Sequence, residues 1–312
     1  MSKVHEALRR AEQAGYIPSA VQPPPASPSG RSRGGYQAPA APLGSQTQQS
    51  MQEVLALVKE VPFRPLADAH LLDPARPSAA PNEEFRSLRT RLNHLQSLSP
   101  IHNVVVTSPS PAEGKSFTAV NLALAEAQLT NNLTLLADFD FRRPIVHSMF
   151  QVDRGPGITD YLLGKAELHE IIKKIAGSNL YIMPAGEAVL NPLELLNLSE
   201  VKVLFDRLPA VFNWVILDTP PLLFAADANL LSTMCHGTVL VVRIGTTTID
   251  SVTRAMQSLC ENNVLGIAVN GARRGELYSK YTYYHTYYYA AENAKAAEDA
   301  ASAEGAEAPP KE

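Results

Sequence analysis

Three short stretches carry residue types suited to handling phosphate. The first is TSPSPAEGKS, residues 107 to 116. Gly114 lets a backbone approach an anion, Lys115 brings an ammonium to the outer phosphates of a nucleotide, and Ser116 offers a hydroxyl to Mg²⁺. The start of a helix adds its own preference for negative charge. Pro109 replaces the first glycine of the usual GxxxxGKS string, so the motif leans on its strand–loop–helix context. The expected nucleotide contacts are Ala112, Glu113, Gly114, Lys115, Ser116 and Phe117. The second stretch, LLADFDFRRP, ends an apolar run in Asp138 and Asp140. The third, WVILDTPP, ends another in Asp218. Open parallel sheets bind ligands at the carboxyl ends of their strands, where these acids fall. Ser116, Asp140 and Asp218 are the expected Mg²⁺ ligands, Lys115 and Asp140 serve transfer, and Asp138 is the expected base. Arg142 and Arg143 either answer phosphate charge or pair with acids. Asn270 either reads an adenine edge or caps the last strand.

A fourth stretch supplies a candidate acceptor. Seven of the eleven tyrosines are Tyr278, Tyr281, Tyr283, Tyr284, Tyr287, Tyr288 and Tyr289. A phenol ionises only near about pH 10, so a carboxylate must take its proton as transfer proceeds. A flexible tail can present such a phenol to a neighbouring site, whereas a buried tyrosine cannot. Water as acceptor would give an ATPase; a phenol would give a tyrosine kinase.

The elements that must position these residues alternate. Apolar runs predict strands at 102–108, 132–138, 179–185, 214–218, 237–243 and 264–270. Between them helical patterns cover 116–129, pieces of 158–175, 192–208 and SVTRAMQSLCENN. An earlier helix, EEFRSLRTRLNHL, puts Phe85, Leu88, Leu92 and Leu95 on one side. This alternation predicts an α/β domain with a mainly parallel sheet flanked by helices, over residues 80–275. Residues 1–17 read as a short helix, either frayed or docking, with Val4, Ala7, Leu8 and Ala11 on one face. Residues 18–45 form a disordered Pro/Ala/Ser/Gly linker. Residues 46–79 are a partly helical lead-in, with MQEVLALVKEV readable as one helix. Residues 276–312 are a flexible tail of tyrosine, alanine and glutamate.

Bulk properties narrow the classes. A net charge of −4 over 312 residues provides no basic field for nucleic acid. Cys235 and Cys260 lack metal spacing, which suits a reducing compartment. No apolar run is long enough to span a membrane and no signal peptide opens the chain, so the expected location is cytoplasmic.

Together these motifs resemble the bacterial tyrosine kinases of capsule and exopolysaccharide synthesis, over roughly residues 80 to 292. SPSPAEGKS is similar to their nucleotide loop, LLADFDFRRP to their Walker A′ element and ILDTPP to their Walker B element. The Walker A′ strand usually reads closer to IDADLRRP; both acids survive here. The resemblance implies a P-loop NTPase-like fold, use of ATP and Mg²⁺, and autophosphorylation of the tyrosine cluster, with other protein substrates possible. E-x-x-R-x-x-R at Glu83, Arg86 and Arg89 resembles the family's ring-forming motif, usually of an octamer, which lets each tail reach the next site. The lack of fused membrane helices resembles the split arrangement, in which a separate transmembrane polysaccharide co-polymerase activates the kinase at the inner face of the membrane. Two other readings remain. One is a ParA/MinD-like positioning ATPase, against which the tyrosine tail and Ser110, in place of a signature lysine, both argue. The other is a non-catalytic nucleotide-binding co-regulator of polysaccharide synthesis.

Overall fold

The computed structural model describes residues 50–65, 69–72, 82–259 and 264–272. The N-terminal helix, the linker and the tyrosine cluster read from the sequence lie outside these residues.

The element order is α1 (Met51–Ala56), β1 (Lys59–Val61), α2 (Asn82–Leu98), β2 (Asn103–Thr107), α3 (Lys115–Glu126), β3 (Thr134–Asp138), α4 (Val146–Met149), α5 (Ile158–Leu162), α6 (Leu168–Ile171), β4 (Lys173–Ile175), β5 (Leu180–Met183), α7 (Pro192–Leu196), α8 (Ser199–Arg207), β6 (Trp214–Asp218), α9 (Ala226–Met234), β7 (Gly237–Arg243), α10 (Ile249–Ser258) and β8 (Val264–Asn270). The strands form one sheet in the order β1-β4-β5-β3-β6-β2-β7-β8. All neighbours are parallel except the β4–β5 pair.

The six apolar runs became β2, β3, β5, β6, β7 and β8. The central strands NVVVT, TLLAD and WVILD are buried at every position, as strands covered on both faces must be. Their side chains alternate between two cores. Val105, Leu135, Ala137, Val215 and Leu217 join the core that also holds Phe205 and Phe212. Val104, Val106, Leu136 and Ile216 join the one built on α2 and α3.

Several expectations need correction. MQEVLALVKEV is not one helix: α1 ends at Ala56, and Lys59–Val61 is an edge strand. The segment 158–175, expected to be helical pieces, finishes as strand β4. The run 192–208 divides into α7 and α8. Helices α4 and α9 were not anticipated. Both missed strands have three residues and are rich in lysine and glutamate, so they carry no apolar signal. Pairing is what makes them strands: β1 with β4, Lys59 opposite Lys173, and β4 with β5, Lys173 opposite Ile182.

Candidate active site

The phosphate loop leaves β2 and reaches α3 in a shape held from several sides. The Thr107 hydroxyl donates to the Pro220 carbonyl at 2.8 Å. Glu113, only 2% exposed, accepts from the Ser110 amide at 2.8 Å and the Thr247 hydroxyl at 2.6 Å. Gly114 has φ +96°, and a Cβ there would collide with the Asn270 amide. That amide donates to the Glu113 carbonyl at 3.1 Å, and the Asn270 carbonyl oxygen accepts from the Gly271 amide at 2.8 Å. Asn270 therefore ties the end of β8 to the loop, and the glycine is required by close approach as well as by its left-handed backbone.

Lys115 lies where the acids converge. Its Nζ is 2.7 Å from Asp140 Oδ2, 3.4 Å from Asp218 Oδ1 and 3.1 Å from Ser116 Oγ. Burial disfavours the ammonium, but Asp218 and Asp140 outweigh it and raise the pKa above its usual value. Parallel pairing of β3 with β6 puts Asp138 directly opposite Asp218. Both are fully buried. Burial pushes Asp138 up to about 8, helped by the charge of Asp218, while burial likewise raises Asp218.

The two acids of the DFD stretch have different surroundings. Asp138 accepts three backbone amides: Asp140 at 3.2 Å, and Ile145 and Val146 at 3.0 Å each. It thereby folds the turn into α4. Asp140 accepts the Arg143 amide at 3.0 Å and lines a cavity of about 610 Å³ together with Lys115 and Ser116. Asp218 keeps one oxygen, Oδ2, buried without a hydrogen-bond partner. An unpaired buried carboxylate oxygen beside a serine hydroxyl suits Mg²⁺, which takes one or two carboxylates and the substrate's phosphates rather than a cage of side chains.

The two arginines also divide. Arg142 grips Asp227 with two bonds, 2.8 and 3.2 Å, against a carboxylate 1% exposed. Arg143 is exposed and lines the cavity, with no ion pair among the described residues. Asp227, Thr247 and Phe224 were missed by sequence reasoning. Asp227 lies nine residues beyond Asp218 with nothing local to mark it, and Phe224 is notable only because its side chain remains 67% exposed at the cavity.

On α2, Glu83 and Arg86 form an exposed pair at 3.7 Å. Arg89 instead donates to the Ala125 carbonyl at 2.8 Å, within its own chain. The phenols expected as acceptors lie outside the described residues.

No protein-family model matches the chain. It is 34% identical over 212 residues to the tyrosine-protein kinase YwqD of Bacillus subtilis, covering 67% of this chain and 89% of that protein. This chain belongs to the bacterial tyrosine-protein kinases. The tyrosine-protein kinase Wzc of Salmonella typhimurium is 30% identical over 223 residues, which are 70% of this chain but only 31% of Wzc. The kinase domain of the Escherichia coli tyrosine kinase ETK superposes with a TM-score of 0.61 at 30% identity, covering 64% of this chain and 78% of that one. The kinase spans about a third or less of the length of Wzc and similar long relatives. No helix among its described residues is long and apolar enough to cross a membrane. The family reading and the α/β P-loop fold therefore hold, and the positioning-ATPase reading fits less well.

Proposed function

We propose that this tyrosine kinase moves the γ-phosphoryl group of Mg²⁺-ATP to phenols of its own cluster, Tyr278, Tyr281, Tyr283, Tyr284, Tyr287, Tyr288 and Tyr289, on neighbouring copies. The observation that carries the reading is one lysine shared by two buried carboxylates beside a hydroxyl, at the carboxyl ends of adjacent strands. The loop amides and Lys115 hold the β- and γ-phosphates. Ser116 and Asp218 hold Mg²⁺, which supplies charge neutralisation at the transferring group. When Lys115 turns to phosphate, Asp140 loses its partner and is free to accept the phenol proton. The enclosure of Asp138 by three amides supports giving that role to Asp140, with Asp138 holding the turn that presents it.

The same reading extends outward. The outward Glu83–Arg86 pair is available to a second copy, while Arg89 serves its own fold, so a ring rests on the first two. A separate transmembrane co-polymerase for exopolysaccharide or capsule export is the proposed activating partner, which would bring the kinase to the inner face of the membrane.

The test pairs calorimetry with peptide-mapping mass spectrometry on Asp140→Asn and Asp138→Asn. Asp140→Asn should lower transfer to residues 278–289 by about 100-fold at saturating ATP, with nucleotide affinity changed only a few-fold. Normal transfer by Asp140→Asn, with loss confined to Asp138→Asn, would return the base role to Asp138. Wild-type protein that binds Mg²⁺-ATP but leaves these tyrosines unmodified would defeat autophosphorylation.

A further inference from the structure

The cavity has two unlike walls. One is the phosphate loop, which suits a triphosphate. The other is apolar: Ile145 and Met149 follow the DFD turn, and Pro220, Pro221 and Phe224 follow β6. Ile145 is 42% exposed and Phe224 67% exposed, so large apolar side chains stand in water in the cavity that Lys115, Asp140, Arg142 and Arg143 also line. Phosphates have no use for such a wall, whereas an aromatic ring does. Two cations flank it, and they are not equivalent. Arg142 is spent on buried Asp227. Arg143 is exposed, lines the cavity and has no ion pair among the described residues, while its backbone amide is fixed on Asp140.

Resting on the kinase reading above, we propose that this wall seats the ring of the acceptor tyrosine and that Arg143 selects acceptors with a phosphotyrosine next to them. In the transfer, the bond between the γ-phosphorus and the ADP oxygen breaks, a bond from phosphorus to the phenol oxygen forms, and the phenol proton passes to Asp140. A guanidinium at the rim then meets the phosphate of an already modified neighbour through paired N–H···O bonds. The acceptor segment has that arrangement in its sequence: Tyr283 adjoins Tyr284, and Tyr287, Tyr288 and Tyr289 are consecutive. Each added phosphate brings about −1.5 to −2 charges. The first phosphorylation of a run therefore makes the second faster, and the cluster fills in order rather than at random.

Two synthetic peptides spanning residues 278–289 test this. Each keeps Tyr283 as the sole acceptor, with the other tyrosines replaced by phenylalanine, except that one carries phosphotyrosine at position 284. The reading is the ratio of kcat/KM for the phosphorylated over the unphosphorylated peptide, with full-length kinase and saturating Mg²⁺-ATP. Wild type should show a ratio of about ten or more. Arg143→Lys should retain part of it, Arg143→Ala should bring it near one, and Arg143→Glu should invert it, a result that a merely structural role would not produce. Phe224→Ala should raise the KM for both peptides without raising that for ATP. A ratio near one in wild type, or an unchanged ratio in Arg143→Glu, overturns the proposal. So does a rise confined to the KM for ATP in Arg143→Ala or Phe224→Ala, which would assign the cation or the wall to the nucleotide. If wild type binds Mg²⁺-ATP but phosphorylates neither peptide nor its own tail, the kinase reading of the site fails as well.

Discussion

Helix α3 ends in a buried ionisable cluster at both termini, and the two clusters are built on opposite rules. At its start Lys115 bridges Asp140 and Asp218, a cavity opens beside them, and Asp218 Oδ2 has no hydrogen-bond partner. At its end Glu126 is just as hidden, yet both of its oxygens are taken. Asn93 Nδ2 reaches them at 3.2 and 2.9 Å, and Asn132 Nδ2 donates at 3.0 Å. Asn93 in turn accepts the Trp214 indole N–H at 3.1 Å, and Arg89 donates to Ala125 one residue away. Burial alone thus does not mark a functional carboxylate. What separates the ends is completeness: both oxygens of Glu126 are satisfied and join two helices, while Asp218 keeps an orphan buried oxygen next to Lys115 and Asp140, which line the cavity.

The largest effect should come from breaking the first end. Lys115→Met removes the ammonium proposed to neutralise the transferring phosphate, so phosphotransfer should fall on the order of 10³-fold. The far-ultraviolet circular dichroism spectrum should be unchanged. Near-normal labelling of residues 278–289 in the purified variant would remove this end of the helix from the chemistry.

At the other end, Asn93→Ala strips donors from Glu126 and the acceptor from Trp214. The cost should be about 2–3 kcal/mol in urea unfolding, with ATP affinity little changed. A large loss of ATP affinity with no loss of stability would erase the distinction between the two ends.

The smallest effect sharpens the comparison through pH. Burial first, against its hydrogen bonds and Arg89, pushes Glu126 up to about 7. The folded pKa lies above the unfolded value of about 4.3, so the folded protein holds the proton more tightly. The stability this group contributes is complete below about pH 4 and is lost as pH rises through 7. Wild type should therefore lose about 1–2 kcal/mol more unfolding free energy between pH 5 and 8 than Glu126→Gln. Parallel slopes for the two proteins would mean that the carboxylate is already ionised across that window.

Much of the first end was legible in the sequence, and little of the second was. GKS after an apolar strand, and acids closing two more, are local patterns, and the structure gathers these residues at the carboxyl ends of adjacent strands. Glu126 gave no such signal, because its partners are 33 residues upstream and six downstream in ordinary helix and turn sequence. The same limit hid the strands β1 and β4. Their polar residues satisfy no local period, and only pairing within the sheet orders them.

By itself the sequence determined the alternation of apolar runs and helices, hence the parallel α/β sheet, and the chemical types gathered at its carboxyl edge. Those follow from local physics: period, burial and the geometry of a strand–loop–helix turn. Only the tertiary structure decided the surroundings of each of several like groups. Asp138 and Asp140 are two residues apart, yet one is enclosed by three amides and the other faces the cavity. Arg142 and Arg143 are adjacent, yet one is held by Asp227 and the other lines the cavity with no ion pair among the described residues. Such roles depend on partners distant in the chain, so no local pattern can encode them.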